Sequence, residues 1–300
     1  MSERRVDPFT GQGVWIAPGR AGLGATRPGG LPTPRARCPF CPGHESDAEP
    51  TVAQWPARGP WQARVVRNKY PLVAPPQGDH EVGIDARGHD VDLGDLSPAH
   101  VAGMLRLYRD RYRALGQPAG VAAVVLFRNR GRRAGSSQPH PHTQLVALPE
   151  VPVSISRRAQ HGAGLDLHVE ERRRAQGDGR VVHERASAVA LCPFAPSRAH
   201  EVRISACEAG GFEAAEDATL DDVGSLLVQV LSGITGGLGV ADHNLVLRSA
   251  PRDASGWSLD VLPRTGGDAG FEQASEERVI VVPPEVTAAQ LRELGPSPRA

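Results

Sequence analysis

Between Gly135 and Leu148 the chain reads GSSQPHPHTQLVAL, with His140, His142 and Gln144 at alternate positions. Pro139 and Pro141 fix φ and remove two backbone donors, so this run is expected to be extended, at a sheet edge or beside an irregular loop. In an extended chain alternate residues share a face, which spaces the three side chains about 6.6 Å apart at a rise of ~3.3 Å per residue. A neutral imidazole can attack phosphorus through Nε2 near pH 7 when its other nitrogen donates to a carbonyl and fixes the tautomer. His142 is the nucleophile this pattern selects. Attack on the α-phosphorus of a nucleoside diphosphate compound would give a nucleotidyl-histidine and expel a phosphorylated group. Charge on the non-bridging oxygens calls for preorganised donors. Ser136, Ser137, the Gly135 backbone, Asn129 and the Gln144 amide are the candidates. Gln144 can orient an intermediate but is no strong acid, which suits transfer between two good phosphate leaving groups. The cationic run Arg128 to Arg133 is expected to complete an anion cradle.

Cys38 and Cys41 form a CxxC knuckle, CPFCPGHE, of the kind that offers two thiolates to zinc. A tetrahedral site needs two more N or S donors. His44 is adjacent but would need a cramped loop, whereas His89 and His140 have more room. The redox reading of CxxC wants a thioredoxin-like βαβ pattern, which is missing here. A metal on His140 would anchor His142 two residues on.

Composition narrows the classes. Basic and acidic residues balance at 34 each, so no overall positive field points to nucleic acid. Lys69 is the only lysine, a bias read as coding composition. The N-terminus lacks an apolar h-region and no uncharged apolar run approaches the ~18 residues of a membrane span, so a soluble cytoplasmic protein is expected. Four cysteines are too few for a disulfide scaffold, and Cys192 and Cys207 read as inert small hydrophobes.

The elements that must position these groups recur. Val14–Ala17, Ala63–Arg67, His80–Ile84 and Val121–Phe127 read as strands, and Ser97 caps a helix with Pro98 at its first position. Val101, Met104, Leu105, Tyr108, Tyr112 and Leu115 follow at helical spacing. Residues 151–180 turn polar, as a surface helix or connector. Then the order repeats: strands at 186–194 and 198–204, a helix over 219–237, and strands at 244–248 and 257–262. An internal duplication follows, with units at 1–175 and 176–300. It is asymmetric, because Gly256 and Ser258 fall where the first unit has His140 and His142.

HPHTQ, the upstream FRNRGRRAGSS, CPFCPG with His89 downstream, RVVRNKYP and the two-unit layout resemble the galactose-1-phosphate uridylyltransferase family of the histidine-triad superfamily. The likeness runs from Gly11 to the GFE at 270–272. It implies an α+β fold of two fused histidine-triad-like units, antiparallel sheets with packed helices. It implies that His142 becomes uridylylated, that Gln144 contacts the phosphoryl group, and that one structural zinc sits on Cys38, Cys41, His89 and His140. Nucleotide contacts carry over to Asn68, Asn129, Gly135, Ser136 and Ser137. Arg20 matches an arginine that reaches the partner's site in the family homodimer. Gly256 and Ser258 stand where relatives have HxH, so no second metal is expected. A family lysine near the sugar phosphate is replaced in the Gly266–Gly267 region, and Arg132 and Arg133 follow the Asn-x-Gly, either as solvated charges or to meet a more anionic acceptor.

The leading expectation is transfer of a UMP-like group between a nucleotide sugar and a hexose 1-phosphate, as in galactose metabolism. A phosphorylase or adenylyltransferase would use the same histidine with inorganic phosphate as acceptor or adenine as base. A catalytically idle, zinc-stabilised nucleotide-binding protein would bind the same ligands without forming a phosphoramidate.

Overall fold

The computed structural model describes residues 3–6, 13–16, 34–162, 167–249 and 256–294. Strands β1 (Glu3–Val6) and β2 (Gly13–Ile16) pair with each other. There follow β3 (Thr51–Trp55), β4 (Ala63–Arg67), β5 (Asp79–Ile84), helix α1 (Pro98–Leu115), β6 (Ala123–Arg130) and β7 (His142–Leu148). Helices α2 (Val153–Gly162) and α3 (Leu167–Gly177) form the polar connector. Then come β8 (Val181–Glu184), β9 (Ala188–Leu191), β10 (Val202–Ala206), α4 (Asp217–Ser232), β11 (His243–Ser249), β12 (Trp257–Pro263), α5 (Gly270–Ser275) and α6 (Pro284–Leu294).

Strands β3 to β12 make one ten-stranded antiparallel sheet in the order β3-β4-β5-β7-β6-β11-β12-β10-β9-β8. The fold is therefore α+β, and the second set of strands repeats the first in reversed spatial order. Strands β6 and β11 meet at the centre, with Asn129 opposite Asn244 and Phe127 opposite Val246. The edge strands β3 and β8 are absent from the sequence-based reading. TVAQW and VVHE are short, and both pair through a bulged register that blurs alternation. The helix expected over 219–237 is α4 followed by a π turn at Gly233–Gly237.

Helix α1 starts where Ser97 Oγ accepts the His100 N–H and Pro98 supplies the preset φ. Its apolar stripe, Val101 to Leu115, is buried with Leu126 and Leu145 of the sheet and Leu226 and Val230 of α4, in a core shared by both halves. Each such side chain contributes about 1.5–3 kcal/mol on burial. Gly83 is required beneath α1, because a Cβ there would lie 2.4 Å from the Tyr108 ring.

Alternation assigns the two faces of β7. Leu145 and Ala147 enter the helix-side core, while Val146 and Leu148 pack on the opposite face with Val73. His142 and Gln144 have the parity of Val146, so they belong to the face away from α1 and α4. On that face α3 covers the second half, where Ala175 packs on Val189 and Leu191. Over the first half lies the knuckle instead, Phe40 packing against Trp61, Val66, Val82 and Ile84. Among the described residues no helix is long and apolar enough to cross a membrane.

Candidate active site

Strand β7 begins only at His142, so the expected alternation holds for His142 and Gln144, and His140 lies in the irregular turn before them. His142 Nδ1 donates to the His140 carbonyl at 2.9 Å, which leaves the lone pair on Nε2. Burial pushes the imidazole below its ordinary pKa, so it is neutral near pH 7. The residue retains 8 % exposure, and the Phe40 ring stands 5.7 Å away, centroid to centroid. A neutral, tautomer-fixed imidazole is the state that nucleophilic attack on phosphorus requires.

Gln144 Oε1 lies 3.1 Å from Nε2 of His80, a buried residue of β5. His80 Nδ1 accepts the Leu72 N–H at 3.0 Å. Asn68 stands alongside, its amide nitrogen 3.1 and 3.4 Å from the two ring nitrogens and its Oδ1 accepting the Tyr70 N–H at 2.8 Å. His80 escaped the sequence reading. Its alternation in HEVGI was visible, but the register that brings β5 beside β7 was not.

The loop after β6 holds Asn129, Gly135, Ser136 and Ser137 together. Gly131, at φ +82°, opens the turn against Asp242, where a Cβ would come within 2.0 Å of the carboxylate. The same carboxylate accepts the Arg133 N–H at 2.7 Å. Within the loop Gly135 N donates to the Arg132 carbonyl and Ser136 N to Gly131, each at 3.0 Å, and Ser136 Oγ donates to the Gln138 carbonyl at 2.7 Å. Ser137 is exposed at the loop's end. Asn244 Nδ2 crosses from β11 to Asn129 Oδ1 at 2.8 Å and to the Ala134 carbonyl at 2.9 Å. Arg20 lies outside the described residues.

Arg128 does not join the expected cradle. It alternates to the helix side, where it is buried, with Nε 2.8 Å from Asp85 Oδ2 and a second nitrogen 2.9 Å from Asp92. Asp85 also accepts from Tyr108 OH at 2.6 Å and Thr143 Oγ1 at 2.8 Å, and His243 of β11 approaches Arg128 within 3.3 Å. Burial pushes the Asp92 carboxyl up, but Arg128, His243 and Arg130 together hold it below the usual range.

Cys38, Cys41, His89 and His140 are all buried, with ligand atoms within 4.8 Å of one another. Cys41 Sγ is 3.3 Å from His89 Nδ1 and 3.6 Å from His140 Nδ1. A tetrahedral ion with bonds of about 2.0–2.3 Å has ligand–ligand edges of roughly 3.3–3.8 Å, so the donors fit a metal. His140 Nε2 donates to the Ala86 carbonyl at 2.8 Å, the outer contact that turns Nδ1 toward the cluster. Burial pushes His140 down to about 4, and burial with the nearby Cys41 pushes the Cys38 thiol up to about 11. Such a thiol is a poor redox nucleophile, and a bound cation is what would ionise it. His44 turns its Nδ1 to the Cys38 carbonyl instead, at 2.8 Å.

In the second half the positions matching His142 and Gln144 carry Ser258 and Asp260. Ser258 is fully buried, 3.3 Å from Asp260, and Asp260 pairs with Arg203 at 2.9 Å and Arg248 at 3.2 Å. Glu171 of α3 closes the cluster on Arg203 at 2.7 Å. The matching surface is thus filled by ion pairs.

Residues 59–152 match the domain described as galactose-1-phosphate uridyl transferase, N-terminal domain. The chain is 28% identical over 332 residues to an ADP-glucose phosphorylase of Arabidopsis thaliana, covering 97% of this chain and 93% of the relative. A crystal structure of an ADP-glucose phosphorylase from the same plant, with bound ADP-glucose, superposes with a TM-score of 0.79 at 28% identity over 98% of each chain. A galactose-1-phosphate uridylyltransferase of Thermotoga maritima is 26% identical over 228 residues, 68% of this chain and 66% of the relative.

Proposed function

From membership of the galactose-1-phosphate uridylyltransferase family, to which this chain belongs, we propose that it moves a nucleotidyl group through His142 from a nucleoside diphosphate sugar to a phosphate-bearing acceptor. The observation that carries the reading is the His142 Nδ1–His140 carbonyl bond, which leaves a neutral Nε2 as the reactive atom. Nε2 attacks the α-phosphorus, an N–P bond forms, and the bond to the bridging oxygen breaks as the sugar 1-phosphate leaves. An oxygen of the acceptor phosphate then attacks the same phosphorus, and the N–P bond breaks to restore the imidazole. Gln144 and Asn129 stabilise the non-bridging oxygens, and Asn68, Ser137 and Arg20 bind nucleotide and phosphate. Gly135 and Ser136, whose donors bond within their own loop, shape the wall against which the nucleotide lies.

Cys38, Cys41, His89 and His140 would hold a zinc ion whose contribution is structural. Its binding would keep the two thiols ionised, and the four ligands would then clamp the turn from which His142 projects. The chain's own residues carry the transfer. The same reading includes two repeat units meeting near residue 175, a homodimer and a cytoplasmic setting.

Inorganic phosphate as acceptor and an adenylyl group as cargo are favoured over uridylyl transfer to a hexose 1-phosphate. The support is the likeness to an ADP-glucose phosphorylase over nearly both whole lengths, with 66% of the uridylyltransferase relative covered by comparison. Intact mass after incubation with ADP-glucose and, separately, UDP-glucose tests both parts. Addition of AMP that phosphate discharges as ADP is the expected result, and addition of UMP discharged only by a hexose 1-phosphate would select the second reading. No adduct with any nucleotide sugar, or an adduct that survives His142→Ala, would defeat the proposal.

A further inference from the structure

The amides of Gln144 and Asn129 each have a carbonyl oxygen that can accept and an NH2 that can donate, and only the NH2 end suits an anionic phosphoryl group. In both, a backbone group elsewhere fixes which end faces inward. The Leu72 N–H can only donate to His80 Nδ1. The Asn68 NH2, turned to the ring because its Oδ1 takes the Tyr70 N–H, lies 3.4 Å from Nδ1 and 3.1 Å from Nε2. A lone pair on Nδ1 serves both donors, whereas one on Nε2 would set the Leu72 N–H against an Nδ1–H, so Nε2 carries the proton. The partner of that proton, 3.1 Å away, must then be the Gln144 oxygen. On the other side, the Ala134 carbonyl can only accept, so the Asn244 NH2 lies there. Its second hydrogen meets Asn129, whose inward end must likewise be its oxygen. Neither amide can turn over without setting donor against donor.

The two are neighbours of the nucleophile. Gln144 is two residues along β7 from His142, and one step beyond the Arg128–Thr143 pair the register puts Asn129 beside His142. The Gly135 and Ser136 N–H groups and the Ser136 hydroxyl are committed inside their own loop. We infer that His80 and Asn244 are positioning residues, which hold Gln144 and Asn129 with their NH2 groups outward so that an anionic phosphoryl group at His142 meets donors only. This rests on the proposed transfer through His142. It also gives the half that lacks the histidines a part in catalysis, because Asn244 belongs to β11.

Nitrogen NMR of histidine-labelled protein tests the tautomer without reference to activity. His80 is expected as the Nε2–H form, coupled across a hydrogen bond to Gln144, and an Nδ1–H form would overturn the inference. In single turnover, His80→Leu should slow nucleotidylation about 10- to 100-fold, the range for losing an oriented donor. Its Kd for the donor nucleotide should stay within about threefold. His80→Gln, which can accept from Leu72 and donate to Gln144, should recover most of the rate. Adding Gln144→Leu to His80→Leu should cost no more than Gln144→Leu alone, whereas multiplicative losses would assign His80 a merely structural part. Asn244→Asp, isosteric but unable to donate, should slow the same step about 10-fold or more, and an unchanged rate would remove Asn244 from the proposal. If wild type forms no adduct while His80 shows the expected tautomer and coupling, the nucleotidyl-transfer reading fails and the amide orientation stands.

Discussion

Asp85 brackets His142: its carboxylate accepts the Thr143 hydroxyl at 2.8 Å, just after the histidine, and its N–H donates to the Pro141 carbonyl at 3.0 Å, just before it. The other carboxylate oxygen holds Arg128, and both residues are buried. Asp85→Ala should therefore destabilise the protein by about 3–5 kcal/mol, because it leaves a buried guanidinium with half its compensation. Thr143→Val, which removes one hydrogen bond, should cost only about 1–3 kcal/mol. Urea denaturation of both variants checks the order; equal small losses would show that the clamp contributes nothing.

Elemental analysis should find one zinc per chain, lost in Cys41→Ser and in His89→Ala and kept in His44→Ala. Losing a structural ion costs several kcal/mol, and at about 2–4 °C per kcal/mol the thermal midpoint should fall by roughly 10 °C. Added zinc should raise the midpoint of metal-stripped wild type but not of Cys41→Ser. Metal retained in both ligand variants would refute the assignment.

Burial pushes His243 down to about 4 despite the attraction of Asp92, from an ordinary value of 6.5. The folded chain thus binds fewer protons at this site than the unfolded chain does. Its contribution is complete above about pH 6.5 and is lost as the pH falls toward 4, by about 3 kcal/mol in all. Unfolding free energies at pH 7 and pH 4.5 should differ less in His243→Gln than in wild type. An identical slope in the two proteins would contradict the assignment.

The second-half counterpart of the nucleophile should be dispensable. Ser258→Ala is expected to keep nucleotidyl transfer within about twofold, since its buried hydroxyl donates to Asp260 at a long 3.3 Å. Asp260→Ala should instead cost about 3–5 kcal/mol of stability, because it leaves Arg203 with Glu171 and takes the carboxylate from Arg248. A large activity loss in Ser258→Ala, at unchanged stability, would reopen the second half as a reacting site.

Much of the fold was legible because periodicity is local. Ser97 and Pro98 mark the start of α1, and the spacing from Val101 to Leu115 marks its buried face. Three residues of the metal cluster, Cys38, Cys41 and His140, were legible because CxxC and HPH carry their own spacing, and the fourth, His89, because the family resemblance pointed to it. What escaped depends on register. His80 reaches Gln144 because β5 pairs with β7, and Asn244 reaches Asn129 because two strands more than a hundred residues apart are neighbours. Arg128 differs from expectation for the same reason: a run of arginines looks like one cationic loop until strand pairing extends β6 to Arg130, which turns Arg128 and Arg130 toward Asp92 and leaves only Arg132 and Arg133 in the loop.

Strands β6 and β11 are joined by backbone hydrogen bonds from Phe127 to Arg130, so the two repeats cannot swing about a hinge as separately tethered lobes do. Reactants and products must therefore reach His142 with the two halves of the sheet fixed, over the face on which Phe40 of the knuckle lies.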